Sequence, residues 1–188
     1  MTKVLLLFCL SIGILFFSFS NNEKKPIEYN ASKELSWDDY NGKPNRASSF
    51  KALTATRISF SANSNGKVLK LSLQNYFEPK NSWTKTKNNE ILLNHERLHF
   101  HISELYARKL RKEILETEFK LSGKKLMNEI SQIYSQKMKE LSLAQQRYDR
   151  ETDHSIKEKE QTAWQSNIKT ELFSLKNFAE PDIEIDLK

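Results

Sequence analysis

Three of the four histidines of this chain fall between positions 95 and 101, inside the stretch LLNHERLHFHISELYAR (92–108). His95-Glu96-Arg97-Leu98-His99 matches H-E-x-x-H, and that spacing has a physical reason. Residues i and i+4 stack on one face of a helix, so both imidazoles can reach a single Zn²⁺ ion. Glu96 lies beside them, where its carboxylate can take a proton from water attacking a carbonyl. The chemistry indicated is metal-assisted hydrolysis. His101 does not join this face. It follows His99 by two positions, a rotation of roughly 200° around the helix, and Glu104 likewise points away from His95.

A third ligand must come from elsewhere, and the remaining histidine is His154, in RYDRETDHS (147–155). Ser122-Gly123 interrupts the helical texture. If the flanking helices form an antiparallel hairpin, residues 95–99 reflect about that break onto 146–150. His154 follows within a turn or so and is expected as the third metal ligand. Asp149, Glu151 and Asp153 have two open readings. One of them could replace His154 in a His₂-carboxylate site, or they could orient the ligand imidazoles. Asp153 could equally cap the next helix. Tyr148 could stabilise an oxyanion as a catalytic residue beside Glu96, or pack in the core on the apolar stripe of its helix. Trp37 and Trp164 are expected to pack.

The elements that position these residues divide the chain in two. The fold class expected is α+β: a small N-terminal antiparallel β region (21–88), then a zincin-like helical region (89–188) with a long antiparallel helix pair and a third helix. ALTATRISFSA and KVLKLSLQNYF, joined through the turn-like NSNG (63–66), form a hairpin with Leu69, Leu71 and Leu73 on one face. RISF or KVLKLSL could offer a strand edge for an extended peptide. Helices are predicted over about 90–121, 124–150 and 155–176 from apolar spacing. The acidic, alternating tail FAEPDIEIDLK is expected to be peripheral.

Composition narrows the setting. The 188 residues carry one cysteine, Cys9, and a formal net charge of +6 from 30 basic and 24 acidic residues. Glu and Lys alternate along helical segments such as KLRKEILETEFK. That is the pattern of solvated helix faces and not of a nucleic-acid footprint. The opening MTKVLLLFCLSIGILFFSFSNN has the layout of a secretory signal peptide over residues 1–20. Its apolar run falls short of the roughly 20 residues that a spanning helix needs. The mature chain, a single domain from residue 21, is therefore expected to be secreted or periplasmic, with no stable membrane insertion once the signal is cleaved. No disulfide can hold it together there.

These blocks together resemble an uncharacterised bacterial family described as predicted secreted zinc-dependent proteases. LSWDDYNGKP (35–44), HERLHFHISELYARKLRKE (95–113), YDRETDHS (148–155), Gln161 and Trp164 carry the resemblance across nearly the whole mature chain. It implies Zn²⁺ at His95 and His99, Glu96 as base, and a second functional block of Tyr148, Asp149, Thr152, Asp153 and His154. The chain departs from the family in having His101 in place of Asp and Ser155 in place of Gly. The function expected is a zinc-dependent metallopeptidase acting on a peptide or protein substrate. The alternatives are a zinc amidohydrolase acting on cell-envelope material and an exported, non-catalytic zinc-binding domain.

Overall fold

A computed structural model describes residues 24–119 and 123–187. The leader expected over residues 1–20 and the break residue Ser122 lie outside the described residues. The first half of the chain forms β1 (Ile27–Glu28), β2 (Ala52–Leu53), β3 (Thr56–Ile58), β4 (Ser61–Ser64), β5 (Val68–Ser72), β6 (Asn75–Phe77) and β7 (Trp83–Thr84). Helices α1 (Glu90–Glu116), α2 (Gly123–Thr152) and α3 (Glu158–Ser174) follow, and β8 (Asp182–Asp186) closes the chain. The fold is α+β, with antiparallel strands ahead of two long helices and a third. No helix among the described residues is long and apolar enough to cross a membrane.

The hairpin forms where the alternation places it. Ser61 pairs with Ser72 and Ser64 with Leu69. Gly66 takes φ +84° in the turn, and the Asn65 side chain accepts from the backbone N–H of Lys67 and Val68. Leu69, Leu71 and Leu73 all turn inward and are buried. They meet Ala107, Leu110 and Ile114 of α1 and Leu126 and Ile130 of α2 in one apolar cluster. Two further clusters also lean on α1. Leu92, Leu93 and Phe100 pack on Leu35, Trp37, Tyr40, Ala52 and Phe77. Leu98, Ile102 and Leu105 pack on Ala144, Tyr148, Trp164 and Ile168. Strands thus cover α1 in the first two clusters, α2 joins it in the first and third, and α3 in the third.

The block LSWDDYNGKP anchors the β region to α1. Asp39 accepts from both the backbone N–H and the hydroxyl of Ser36, closing a short turn that buries Trp37 and Tyr40. Gly42 has no room for a side chain: a Cβ would stand 2.7 Å from the carbonyl oxygens of Lys80 and Ser82. The close approach lets the Gly42 N–H donate to Ser82 O at 2.8 Å, which only glycine permits here.

Two boundaries differ from expectation. Helix α1 stops at Glu116, and the tail is not peripheral. Strand β8 pairs antiparallel with β5 from Val68↔Asp186 to Ser72↔Asp182, burying Ile183 against the first cluster while Ile185 and Leu187 pack on its rim. Arg111 holds this return in place. Its guanidinium, 1% exposed, donates to the carbonyls of Leu73, Phe178 and Ala179 and to Glu104. Arg108 donates to the same Glu104 oxygen and to Leu172 O.

Replacing Arg111 with Met would leave three carbonyls unpaired and reduce Glu104 to a single buried cation. Denaturant unfolding of Arg111→Met is expected to show a loss of roughly 3–5 kcal/mol; a midpoint equal to that of the native chain would contradict this role.

Candidate metal centre

The register between α1 and α2 builds the site. His95 Nε2 lies 3.1 Å from Asp149 Oδ1, and His99 Nε2 lies 2.9 Å from the same oxygen. One turn back along α2, Gln145 grips His99: its amide oxygen meets Nδ1 and its amide nitrogen donates to His99 O at 2.9 Å. The pairs 95/149 and 99/145 come one residue short of the reflection onto 146–150 expected from the sequence. His154 joins from the end of α2. Asp153, His154 and Ser155 have φ of 48°, 51° and 80°, so three consecutive residues are left-handed and reverse the chain. The turn closes through His154 N–H to Asp149 O and Lys157 N–H to Thr152 O. It brings His154 Nδ1 to 3.6 Å from Asp149 Oδ1.

The hydrogen bonds fix which ring nitrogens face inward. Gln145 uses its amide nitrogen on a carbonyl, so its oxygen faces His99 and Nδ1 of that ring carries the proton. Gln161 Oε1 sits 3.1 Å from His95 Nδ1 and accepts in the same way. In the neutral rings both Nε2 atoms then carry bare lone pairs, and they stand only 3.2 Å apart beside the Asp149 carboxylate. Electron-rich atoms converging like this need a cation between them, either a proton or a metal ion. The fit to a metal is good. Tetrahedral zinc with bonds of 2.0–2.1 Å spaces its donors roughly 3.3 Å apart, close to the separations here. His95, Asp149 and His154 form a group that could hold a metal ion, with one donor atom of each within 4.8 Å of the others. His99 Nε2 is a fourth donor at the same place.

Protonation reports the same field. Burial works against charge on His99, yet the hydrogen bond to Asp149 and the charges of Glu96 and Asp149 outweigh it and raise its pKa above 6.5. Burial alone would raise the Asp149 pKa, but the hydrogen bonds with His95 and His99 hold its carboxyl well below the usual carboxylate range.

Glu96 is buried and lines the same cleft, whose volume is about 570 Å³. Burial and the nearby Glu96 charge raise the Tyr40 pKa, so its hydroxyl stays protonated. It donates to Thr54 Oγ1 at 2.8 Å, and Thr54 in turn donates to Glu96 Oε2 at 2.7 Å. Neither residue had a role in the sequence reading, although Tyr40 sits in the LSWDDYNGKP block. Residues 49–54 and Thr56 form the cleft's other wall. Lys51 O, Ala55 N and O and Ser59 N all bond towards β7, β6 or the turn between them. By strand alternation, the backbone groups of Ala52, Thr54 and Thr56 face the opposite, unpaired side. Of the two edges expected, RISF therefore begins on an edge strand, whereas KVLKLSL is flanked by β4 and β8 on both sides.

Three expected roles change. Tyr148 is fully buried with its ring stacked 4.4 Å from that of His95, and its hydroxyl donates to Gln161 Oε1 at 2.7 Å, near His95 O at 3.2 Å. Burial also raises its pKa beyond the tyrosine range. A hydroxyl committed behind the His95 ring is placed to hold Gln161 and not to meet an oxyanion in the cleft. Glu151 is turned away as well: its Oε2 accepts from Trp164 Nε1 at 2.8 Å, which removes it as ligand or orienting group. Asp153 lines the cleft mouth, and the N-cap of α3 is Lys157 instead. His101 faces away as expected, bonded to Tyr29 at 2.8 Å. Gln145 and Gln161, which set the two tautomers, were not assigned that role from sequence. The signal for Gln145 is spacing: it lies one residue from position 146, which the expected reflection places opposite His99.

The chain belongs to a family described as bacterial proteins of unknown function (DUF922), whose match spans residues 30–155. No curated protein and no solved structure matches it. The match runs from ahead of Tyr40 through His154 and ends at Ser155, so the four candidate donors and Glu96 all lie within it.

Two outcomes follow from this geometry. A raised His99 pKa contributes stability that is fully present below pH 6.5 and is lost as pH rises through the folded value. The depressed Asp149 pKa keeps its own contribution until strongly acid pH. The metal-stripped protein should therefore melt at lower temperature as pH rises above 6.5, and added Zn²⁺ should abolish that fall; a melting point independent of pH would contradict it. Ser155→Gly removes a left-handed strain and should add about 1 kcal/mol in denaturant unfolding, whereas unchanged or lower stability would mean that the turn is relaxed.

Proposed function

We propose that this DUF922 member is an exported zinc-dependent peptidase in which Glu96 is the general base. His95 and His99 would hold the ion through Nε2, with Asp149 or His154 as the third donor, so that the fourth position stays open for water. A bound zinc ion supplies Lewis acidity, which polarises a carbonyl and makes water nucleophilic at neutral pH. The residues of the chain do the rest. Gln145 and Gln161 keep the two Nε2 lone pairs aimed inward, and Tyr148 fixes Gln161. Asp149 offsets positive charge. Glu96 accepts the proton of the attacking water and passes it to the departing amine. The outward N–H and C=O groups of residues 52, 54 and 56 give an extended peptide a main-chain ladder beside Glu96.

The observation that carries this reading is the Glu96 carboxylate. It is 4% exposed, lines the cleft beside the paired Nε2 atoms, and rests on one hydroxyl donor, Thr54. Among the described residues no lysine or arginine pairs with it. A carboxylate buried without a cation is costly, and its place next to a metal centre supports a proton-transfer role. The second reading is a closed, non-catalytic zinc site. Four protein donors within reach of one another favour it, because structural zinc is four-coordinate whereas catalytic zinc keeps a position open.

Glu96→Gln separates the two. The variant should bind one equivalent of Zn²⁺ like the native chain, and peptide hydrolysis should fall by at least roughly 10²-fold. Equal turnover by both proteins would remove Glu96 from the mechanism. In the same assay His99→Ala should lose metal binding; undiminished zinc affinity would displace His99 from the ligand set.

A further inference from the structure

The face that α2 turns to the cleft changes character along its length. Asp149 and Gln145 stand at the metal donors. One and two turns earlier come Leu141 and Met138, and Thr56 lies on the facing strand. The charged groups lining the cleft are His95, Glu96, His99, Asp149, Asp153 and His154 at the metal, with Lys51 on the strand side. No charged side chain lines the end formed by Met138, Leu141, Ser142 and Thr56. A charged group entering there would give up hydration with nothing to replace it. Met138 and Leu141 are themselves partly buried and backed by the apolar core, so they form a fixed wall. The groove also has a definite end. The Tyr134 hydroxyl donates to Ile58 O at 2.7 Å and takes the next outward carbonyl after Thr56, which stops the free edge.

We propose that this end of the cleft is a specificity pocket for a bulky apolar side chain of an extended peptide, with Met138 and Leu141 as its determinants. The inference rests on the peptidase reading for the place of the bond attacked. Leu141 lies four residues from Gln145 and eight from Asp149, roughly 6 to 12 Å along the helix axis. An extended chain covers that distance in about two to four residues. The preferred substrate therefore carries Leu, Phe or Met about two to four residues from the scissile bond on one flank. The exposed Phe50 and Ile156, at 44% and 70%, lie at the other mouth of the cleft and do not set this preference.

The test uses extended peptides of Gly, Ser and Ala in which one position at a time is Leu, Phe or Asp. Zinc-loaded native chain is assayed for hydrolysis, and zinc-loaded Glu96→Gln for binding by fluorescence anisotropy. One position about two to four residues from the cleaved bond should favour Leu or Phe over Asp by at least roughly tenfold in kcat/KM, and in binding. Met138→Lys should reverse that preference at this position alone, and Met138→Ala, the milder change, should weaken it. Hydrolysis that is indifferent to Leu and Asp at every position would overturn the pocket while leaving the peptidase intact. An unaltered preference in both Met138 variants would also overturn it. Apolar-selective binding with no hydrolysis would uphold the pocket and remove the peptidase reading. Equal binding of Leu and Asp peptides would remove the pocket whatever the hydrolysis.

Discussion

The antiparallel register of α1 against α2 is the constraint on which the rest depends. It sets His95 opposite Asp149 and His99 opposite Gln145. A slip of one residue would rotate each side chain by about 100° and separate every pair. The apolar contacts that fix the register lie on both sides of these pairs. Ala107, Leu110 and Ile114 meet Leu126 and Ile130 near the hairpin turn, and Leu98 and Ile102 meet Ala144 and Tyr148 beside the site. Arg111 then closes the far end by tying β5 and the C-terminal segment to α1. A helix pair clamped by packing can hold groups that would otherwise repel one another.

Repulsion of that kind is what the centre contains. Two imidazole lone pairs and a carboxylate face one another, and each imidazole is turned into that posture by an amide at its back. Hydrogen-bonded partners of this sort orient ligands and raise their basicity. The upward displacement of the His99 pKa and the downward displacement of the Asp149 pKa express the same demand for a cation. The left-handed run at 153–155 adds backbone strain in the segment that delivers His154. Strain tends to collect at functional sites, where surrounding structure over-determines it.

Much of this was legible in the sequence, and what was not has physical causes. H-E-x-x-H predicted a shared face for His95 and His99, and the break at Ser122-Gly123 placed the facing stretch of α2 to within one residue, while the packing of the helices set the final register. The choice among Asp149, Glu151 and Asp153 was not legible, because a helix carries them at different angles and only the packing of α3 reveals that Trp164 claims Glu151. Tyr148 was ambiguous for a related reason: a residue on the apolar stripe can also touch a ligand. The tail was misjudged although its signal was present. Ile183, Ile185 and Leu187 alternate as a strand does, but an edge strand shows its value only once β5 offers a partner. The hydroxyls of Tyr40 and Thr54 support Glu96 across more than forty positions of sequence, and no local pattern announces that.

X-ray absorption at the zinc edge of the zinc-loaded chain tests the central claim most directly. The spectrum should show one zinc surrounded only by nitrogen and oxygen donors at about 2.0–2.1 Å, with an imidazole signature that is lost in the His95→Ala/His99→Ala protein. A sulfur donor, or a spectrum unchanged in that double variant, would place the metal elsewhere and contradict the account.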